Sequence, residues 1–176
     1  MTIEILKELE KNPVLLLVIP PFKYHEYSTA ILRQFTSQKI CYVTLNKTYA
    51  ALQEDFTREG INTKQMIFVD GISKTIKSVP DRQDNSCFYV SSPAALTEMS
   101  IAIMETVKLG ATIVVFDSLN DLLVYEKKAP VSKFLLSIVT RLREQRLQVI
   151  FYTILVQEYS DLVKQTGVFV EKVIEL

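Results

Sequence analysis

"TIVVFDSLNDLLVY", residues 112–125, runs from an apolar β-like stretch into Asp117-Ser118 and then into a second short apolar segment. A helix-period stretch follows, in which Val131, Phe134, Leu135, Ile138 and Leu142 recur at the spacing of one buried face. Strand, acidic corner and helix in this order set the frame for the rest of the chain. Similar runs occur at 14–19, 40–45, 66–69, 87–90 and 149–153. Several are apolar without strict alternation, the pattern of strands covered on both faces in a parallel sheet.

Between the runs lie helices with recognisable punctuation. Ser92-Pro93 reads as an N-cap followed by proline at the first helical position, and Gly110 closes that helix after Leu96, Met99, Ile103 and Val107. Gly60 and Gly167 are expected to cap the C-termini of two others. Alternation of this kind predicts an α/β layered domain with right-handed crossovers.

With 176 residues and 48% hydrophobic content the chain suits one well-buried core, hence one domain over 1–176. Residues 1–12 read as an N-terminal helical extension. The polar stretch 71–86, which contains "PDRQDNS", reads as a mobile surface loop. Twenty basic and 20 acidic residues balance to zero net charge, which removes long-range attraction to nucleic acid or anionic lipid. The start, "MTIEILKE", has no continuous apolar core and is not expected to be a signal peptide. No apolar run approaches the roughly 20 residues that span a bilayer. Cys41 and Cys87 sit in or beside apolar runs and read as buried free thiols of a cytoplasmic protein, not as a metal site or disulfide.

Taken with its neighbours, the 112–125 stretch resembles the RecA superfamily, specifically its KaiC-like branch of archaeal type. "CYVTLNKTYAALQEDFTREGIN" (41–62) resembles the strand and helix that follow the phosphate loop in that branch. "SSPAALTEMSIAI" (91–103) resembles a segment common in archaeal members, and "VFVEKVIEL" (168–176) resembles their closing strand. The resemblance spans 14–176 in order. It implies a RecA-like three-layer α/β sandwich with a mostly parallel twisted sheet, ATP at the carboxyl ends of the strands, and ring or filament assembly.

Catalysis is carried over residue by residue. Phosphate loops turn consecutive N–H groups inward through glycines at a helix N-terminus, and a lysine and a hydroxyl then reach the phosphates and Mg²⁺. Here the corresponding stretch is "VIPPFKYHEYS" (18–28), with no glycine. Alignment on the following helix puts Tyr27 at the lysine position and Ser28 at the hydroxyl, while Lys23 falls too early, inside the loop. Pro20 and Pro21 lack N–H groups. Glu26 places negative charge where polyphosphate would approach. After the second strand, where the family carries glutamates that activate water, this chain has Leu45-Asn46-Lys47; Asn46 or Thr48 suits a helix cap instead. Asp117 matches the aspartate that orients the Mg²⁺ shell. With Ser28 it could form half a vestigial Mg²⁺ site; otherwise it caps the next segment or bonds the remodelled loop.

The remaining candidates have plain structural readings. His25, the only histidine, reads as a solvent-facing loop residue. Ser91 and Ser92 read as caps, not nucleophiles. Lys127, Lys128, Lys133, Arg141, Arg143 and Arg146 spread around a solvated helix. Phe22, Tyr24 and Tyr27 either form an aromatic contact surface or plug the nucleotide cleft. The expectation is a non-catalytic pseudo-ATPase module with no cofactor and no metal, binding a protein partner that is a second copy or an ATP-competent relative. Two alternatives stand beside it: an ATP-binding protein or ATPase using Lys23, Ser28 and Asp117 with Mg²⁺, and a recombinase-paralogue-like nucleic-acid accessory.

Overall fold

The computed structural model describes residues 4–156 and 160–176. One eight-stranded sheet runs through it: β1 (Val14–Ile19), β2 (Ile40–Thr44), β3 (Met66–Asp70), β4 (Arg82–Gln83), β5 (Cys87–Tyr89), β6 (Ile113–Asp117), β7 (Gln148–Ile154) and β8 (Lys172–Glu175). Their spatial order is β4-β5-β3-β2-β6-β7-β1-β8, all parallel except the β4–β5 pair. The expected runs are all strands, with ends shifted by at most a residue. Their continuous apolar character has the physical cause anticipated: β1, β2, β3 and β6 are buried at every position.

Alternation within each strand divides the core into two faces. Val14, Leu16 and Val18 point with Val43, Val69, Val114, Phe116 and Phe151 toward α5 (Leu96–Lys108), α6 (Leu119–Tyr125) and α7 (Lys128–Glu144). Leu15, Leu17 and Ile19 point with Tyr42, Phe68 and Tyr152 toward α1 (Ile5–Lys11), α2 (Tyr24–Leu32) and α3 (Tyr49–Arg58). The result is a three-layer α/β sandwich of RecA-like type. Each fully buried aliphatic side chain contributes about 1.5–3 kcal/mol relative to exposure.

Several local expectations shift. The helix expected to begin at Ser92-Pro93 begins at Leu96, because Pro93 sits in a turn closed by the Ala95 N–H on the Ser92 carbonyl (3.0 Å). Ser91 instead donates its N–H and hydroxyl to Glu98 (both 2.8 Å). Gly60 (φ +67°) and Gly110 (φ +95°) take the left-handed turns expected of them, whereas Gly167 ends α8 (Ser160–Gly167) without one. The polar stretch 71–86, read as a loop, carries the short α4 (Ser73–Ile76) and the edge strand β4. The 1–12 extension contains α1, which packs Ile5 and Leu9 into the core; its first three residues lie outside the described part. Among the described residues no helix is long and apolar enough to cross a membrane.

Candidate functional site

The carboxyl ends of β1, β2 and β6 converge, with β7 separating β1 from β6. In parallel sheets this edge is where ligand-binding loops gather. Four residues, 20–23, separate β1 from α2. Pro21–Lys23 form a single 3₁₀ turn, in which the Lys23 N–H donates to the Pro20 carbonyl (3.0 Å) and the Tyr24 N–H to that of Pro21. Proline at the start of such a turn needs no N–H partner, which is why the chain turns so tightly here.

The short turn resets the helix register. α2 begins at Tyr24, so Tyr27 and Ser28 lie one turn inside it and not at its start. Ser28 is buried and donates its hydroxyl back to the His25 carbonyl (3.2 Å). Tyr27 is half-buried, with the exposed Lys23 ammonium 5.7 Å from its ring centroid. Tyr24 is the residue that reaches the end of β6.

Asp117 is 6% exposed. The Tyr24 hydroxyl donates to its Oδ1 and the Tyr42 hydroxyl to its Oδ2. Leu45 N–H donates to the Asp117 carbonyl (3.0 Å), locking β2 to β6 at this level. The following peptide, Asp117–Ser118, is cis. Burial pushes the Asp117 carboxyl above its ordinary value, the two tyrosine hydrogen bonds oppose that shift, and the nearby Asp121 charge adds to it. Burial, then the Asp117 charge, raises the Tyr24 and Tyr42 hydroxyls well above the usual tyrosine range. Tyr152 is a third tyrosine here, fully buried and edge-on to Tyr24 at 6.3 Å, and its hydroxyl has no hydrogen-bond partner among the described residues.

The capping roles fall within the alternatives expected for them. Asp117 bonds the remodelled loop, while Asp121 accepts the N–H (3.0 Å) and hydroxyl (2.7 Å) of Ser118 at the start of α6. Asn46 donates to Asp121 (3.0 Å), and Thr48 caps α3 by accepting the Ala51 N–H (3.2 Å). A cleft of about 210 Å³ opens beside Asp117, between α2 and α3. Asp117, Ser28 and Tyr24 line it together with Tyr42, Leu52 and Phe56; Lys23 and Tyr27 do not.

Other candidates take up structural positions. His25 is exposed on α2, with Nε2 facing Glu59 (3.2 Å). Lys128 pairs with Asp161 (2.9 Å), Arg143 with Glu171 (2.5 Å), and Arg141 donates to Ser100 (3.0 Å), which spreads the basic residues over separate neighbours. Burial pushes the Cys41 thiol up to about 12 and Cys87 higher still. Among the described residues no three His, Cys, Asp or Glu side chains are grouped to hold a metal ion.

Tyr42 is the site residue that a reading by apolar pattern absorbs into the core. Its signal was present: a tyrosine in a fully buried aliphatic strand calls for a partner for its hydroxyl, which Asp117 supplies.

No protein-family model matches the chain, and no curated protein does. Among solved structures, a KaiC-like protein from the hyperthermophilic archaeon Pyrococcus horikoshii OT3 superposes with a TM-score of 0.66. Identity is 17%, and the match covers 93% of this chain and 70% of that one. At this identity the likeness establishes a shared fold, a KaiC-like RecA-type sandwich.

Proposed function

We propose that this protein is a non-catalytic KaiC-like module, a pseudo-ATPase that acts by binding another protein. The observation that carries the reading is the Tyr24–Asp117–Tyr42 arrangement. The carboxylate that would orient Mg²⁺ in an ATPase of this fold takes its hydrogen bonds from two tyrosines of its own chain. One of them comes from the segment that would otherwise cradle phosphate.

The residues present do not fit Mg²⁺–ATP. A cradle needs inward-facing N–H groups, and here Pro20 and Pro21 have none while those of Lys23 and Tyr24 close the turn. The Lys23 ammonium lies over Tyr27, away from the cleft, and Ser28 bonds its own helix. No glutamate follows β2, and Asn46 is engaged with Asp121. A protein-binding role accords with Phe22, fully exposed at the tip of the β1–α2 turn, and with Leu136 and Val168 beside a groove between α7 and α8.

Isothermal titration of the purified protein with ATP and ADP, with and without Mg²⁺, tests the reading. The expected result is no saturable heat at millimolar nucleotide. Micromolar, Mg²⁺-dependent binding that disappears in Asp117→Ala would overturn it.

A further inference from the structure

The cleft between α2 and α3 holds a carboxylate without a cation. Asp117 forms no ion pair with any described Lys, Arg or His, and neither does Asp121 nearby. The two basic side chains on the cleft wall are committed elsewhere: Lys47 Nζ lies 2.6 Å from Asp55, and His25 faces Glu59. Two tyrosine donors leave further lone-pair positions on both Asp117 oxygens. Buried carboxylates in proteins are generally paired with a charge or neutralised, because desolvation of a lone anion is costly.

The rest of the cleft combines an apolar wall with the polar side chains of Asn46 and of the Lys47–Asp55 ion pair. Tyr42, Leu52 and Phe56 line it, and the Tyr42 and Phe56 rings meet edge-on with centroids 5.4 Å apart. Ser28 and Thr29 also line it, but their hydroxyls are turned onto the His25 carbonyl (3.2 and 2.7 Å), which leaves their carbon atoms to face a ligand. An enclosed apolar cavity of roughly 150 Å³ accommodates benzene, whereas drug-sized ligands occupy about 300–1,000 Å³. At about 210 Å³ this cleft suits one ring or a four- to six-carbon chain with a polar head. Aromatic faces beside a carboxylate favour a positive head over a neutral one.

We propose that the cleft binds an organic ammonium group, with the charged head on Asp117 and the apolar stem against Tyr42, Leu52 and Phe56. The ammonium belongs either to a free small amine or to a lysine side chain of the protein partner. The inference rests on the pseudo-ATPase reading only in that nucleotide does not fill the cleft.

The test is titration of the full chain with benzylamine, with the neutral benzyl alcohol as its isostere, and with Nα-acetyl-lysine methylamide as the side-chain probe. Amide chemical shifts locate any binding. Benzylamine or the lysine probe should bind at least about tenfold more tightly than benzyl alcohol, the worth of one charge-assisted hydrogen bond. Shifts should centre on Ser28, Thr29, Leu52 and Phe56. Asp117→Asn should abolish that preference, and Ser28→Leu, which fills the cleft without touching the carboxylate, should abolish binding of either probe. Tighter binding of the lysine probe assigns the site to a partner side chain; tighter binding of benzylamine assigns it to a free amine. Equal affinity for amine and alcohol, absence of binding, or shifts elsewhere on the molecule would each overturn the proposal. The outcome is independent of the nucleotide titration: ATP binding would remove the pseudo-ATPase reading while leaving the amine preference to stand or fall by its own measurement.

Discussion

Asp70 and Asp117 occupy equivalent places at the carboxyl ends of β3 and β6, two residues of one sheet that are both buried, yet they are held in opposite ways. Asp70 is satisfied by its surroundings in the chain: it accepts the N–H groups of Ile72 (2.7 Å), Ser73 (2.8 Å) and Tyr49 (2.7 Å) and the Ser73 hydroxyl (2.6 Å). Asp117 accepts tyrosine hydroxyls from residues 93 and 75 positions away, with the Asn46 side chain also acting on it, and it faces a cleft. A carboxylate tied to backbone N–H groups is part of the scaffold, since removing it strands donors that cannot move. A carboxylate held by side chains can exchange one of them, because the half-buried Tyr24 can rotate away at modest cost. That difference separates architecture from a site.

The comparison makes three graded predictions. Asp70→Ala should have the largest effect, a loss of about 3 kcal/mol or more in urea unfolding, because three backbone N–H groups lose their acceptor together. A loss below that of the Asp117 variants would remove the distinction.

The two tyrosines should differ from each other. Tyr42 is 1% exposed, so Tyr42→Phe leaves a buried oxygen short of a donor and should cost about 1–3 kcal/mol. Tyr24 is only partly buried, water can take its place, and Tyr24→Phe should cost about 1 kcal/mol or less. Equal losses from the same denaturation measurement would show that the two donors are not ordered by burial.

The smallest effect is the pH dependence of Asp117. Its folded value is raised above 3.8, so between that value and the raised one the folded state holds more protons than the unfolded chain. This contribution to stability is therefore complete below the unfolded value and is lost as pH rises through the folded one. Unfolding of the native protein and of Asp117→Asn, compared from pH 4 to pH 8, should show the native protein relatively more stable at the acidic end. The half-buried carboxyls Glu8, Asp55 and Glu59 and the exposed Asp81, Glu98 and Asp161 shift the opposite way and lose stability on acidification, but they cancel in the difference. A flat or reversed difference would show Asp117 to be as well satisfied as Asp70.

Strand positions were legible because two-sided burial imposes a continuous apolar run, and each run needs only its own residues to be recognised. Helix starts were harder. The Ser92-Pro93 pair carries a start signal, yet the helix begins at Leu96 because the proline is used in a turn. The β1–α2 junction shows the same limit. The absence of glycine and the presence of two prolines can be seen in the chain, but not that the 3₁₀ turn lets α2 begin at Tyr24, which places Tyr27 and Ser28 one turn inside the helix.

Composition, the order of apolar runs and the chemistry of individual residues by themselves determined an α/β layered domain, six of its eight strands, and the lack of a glycine-rich loop after β1. These follow from local rules: period of burial, backbone freedom, presence or absence of N–H groups. Only the tertiary structure decided that Tyr24 and Tyr42 are the partners of Asp117, and that Lys23 and Tyr27 stay out of the cleft. Those contacts join residues far apart in the chain, and they depend on which strands lie side by side and in what register. That information belongs to the packed sheet and to no single stretch of sequence.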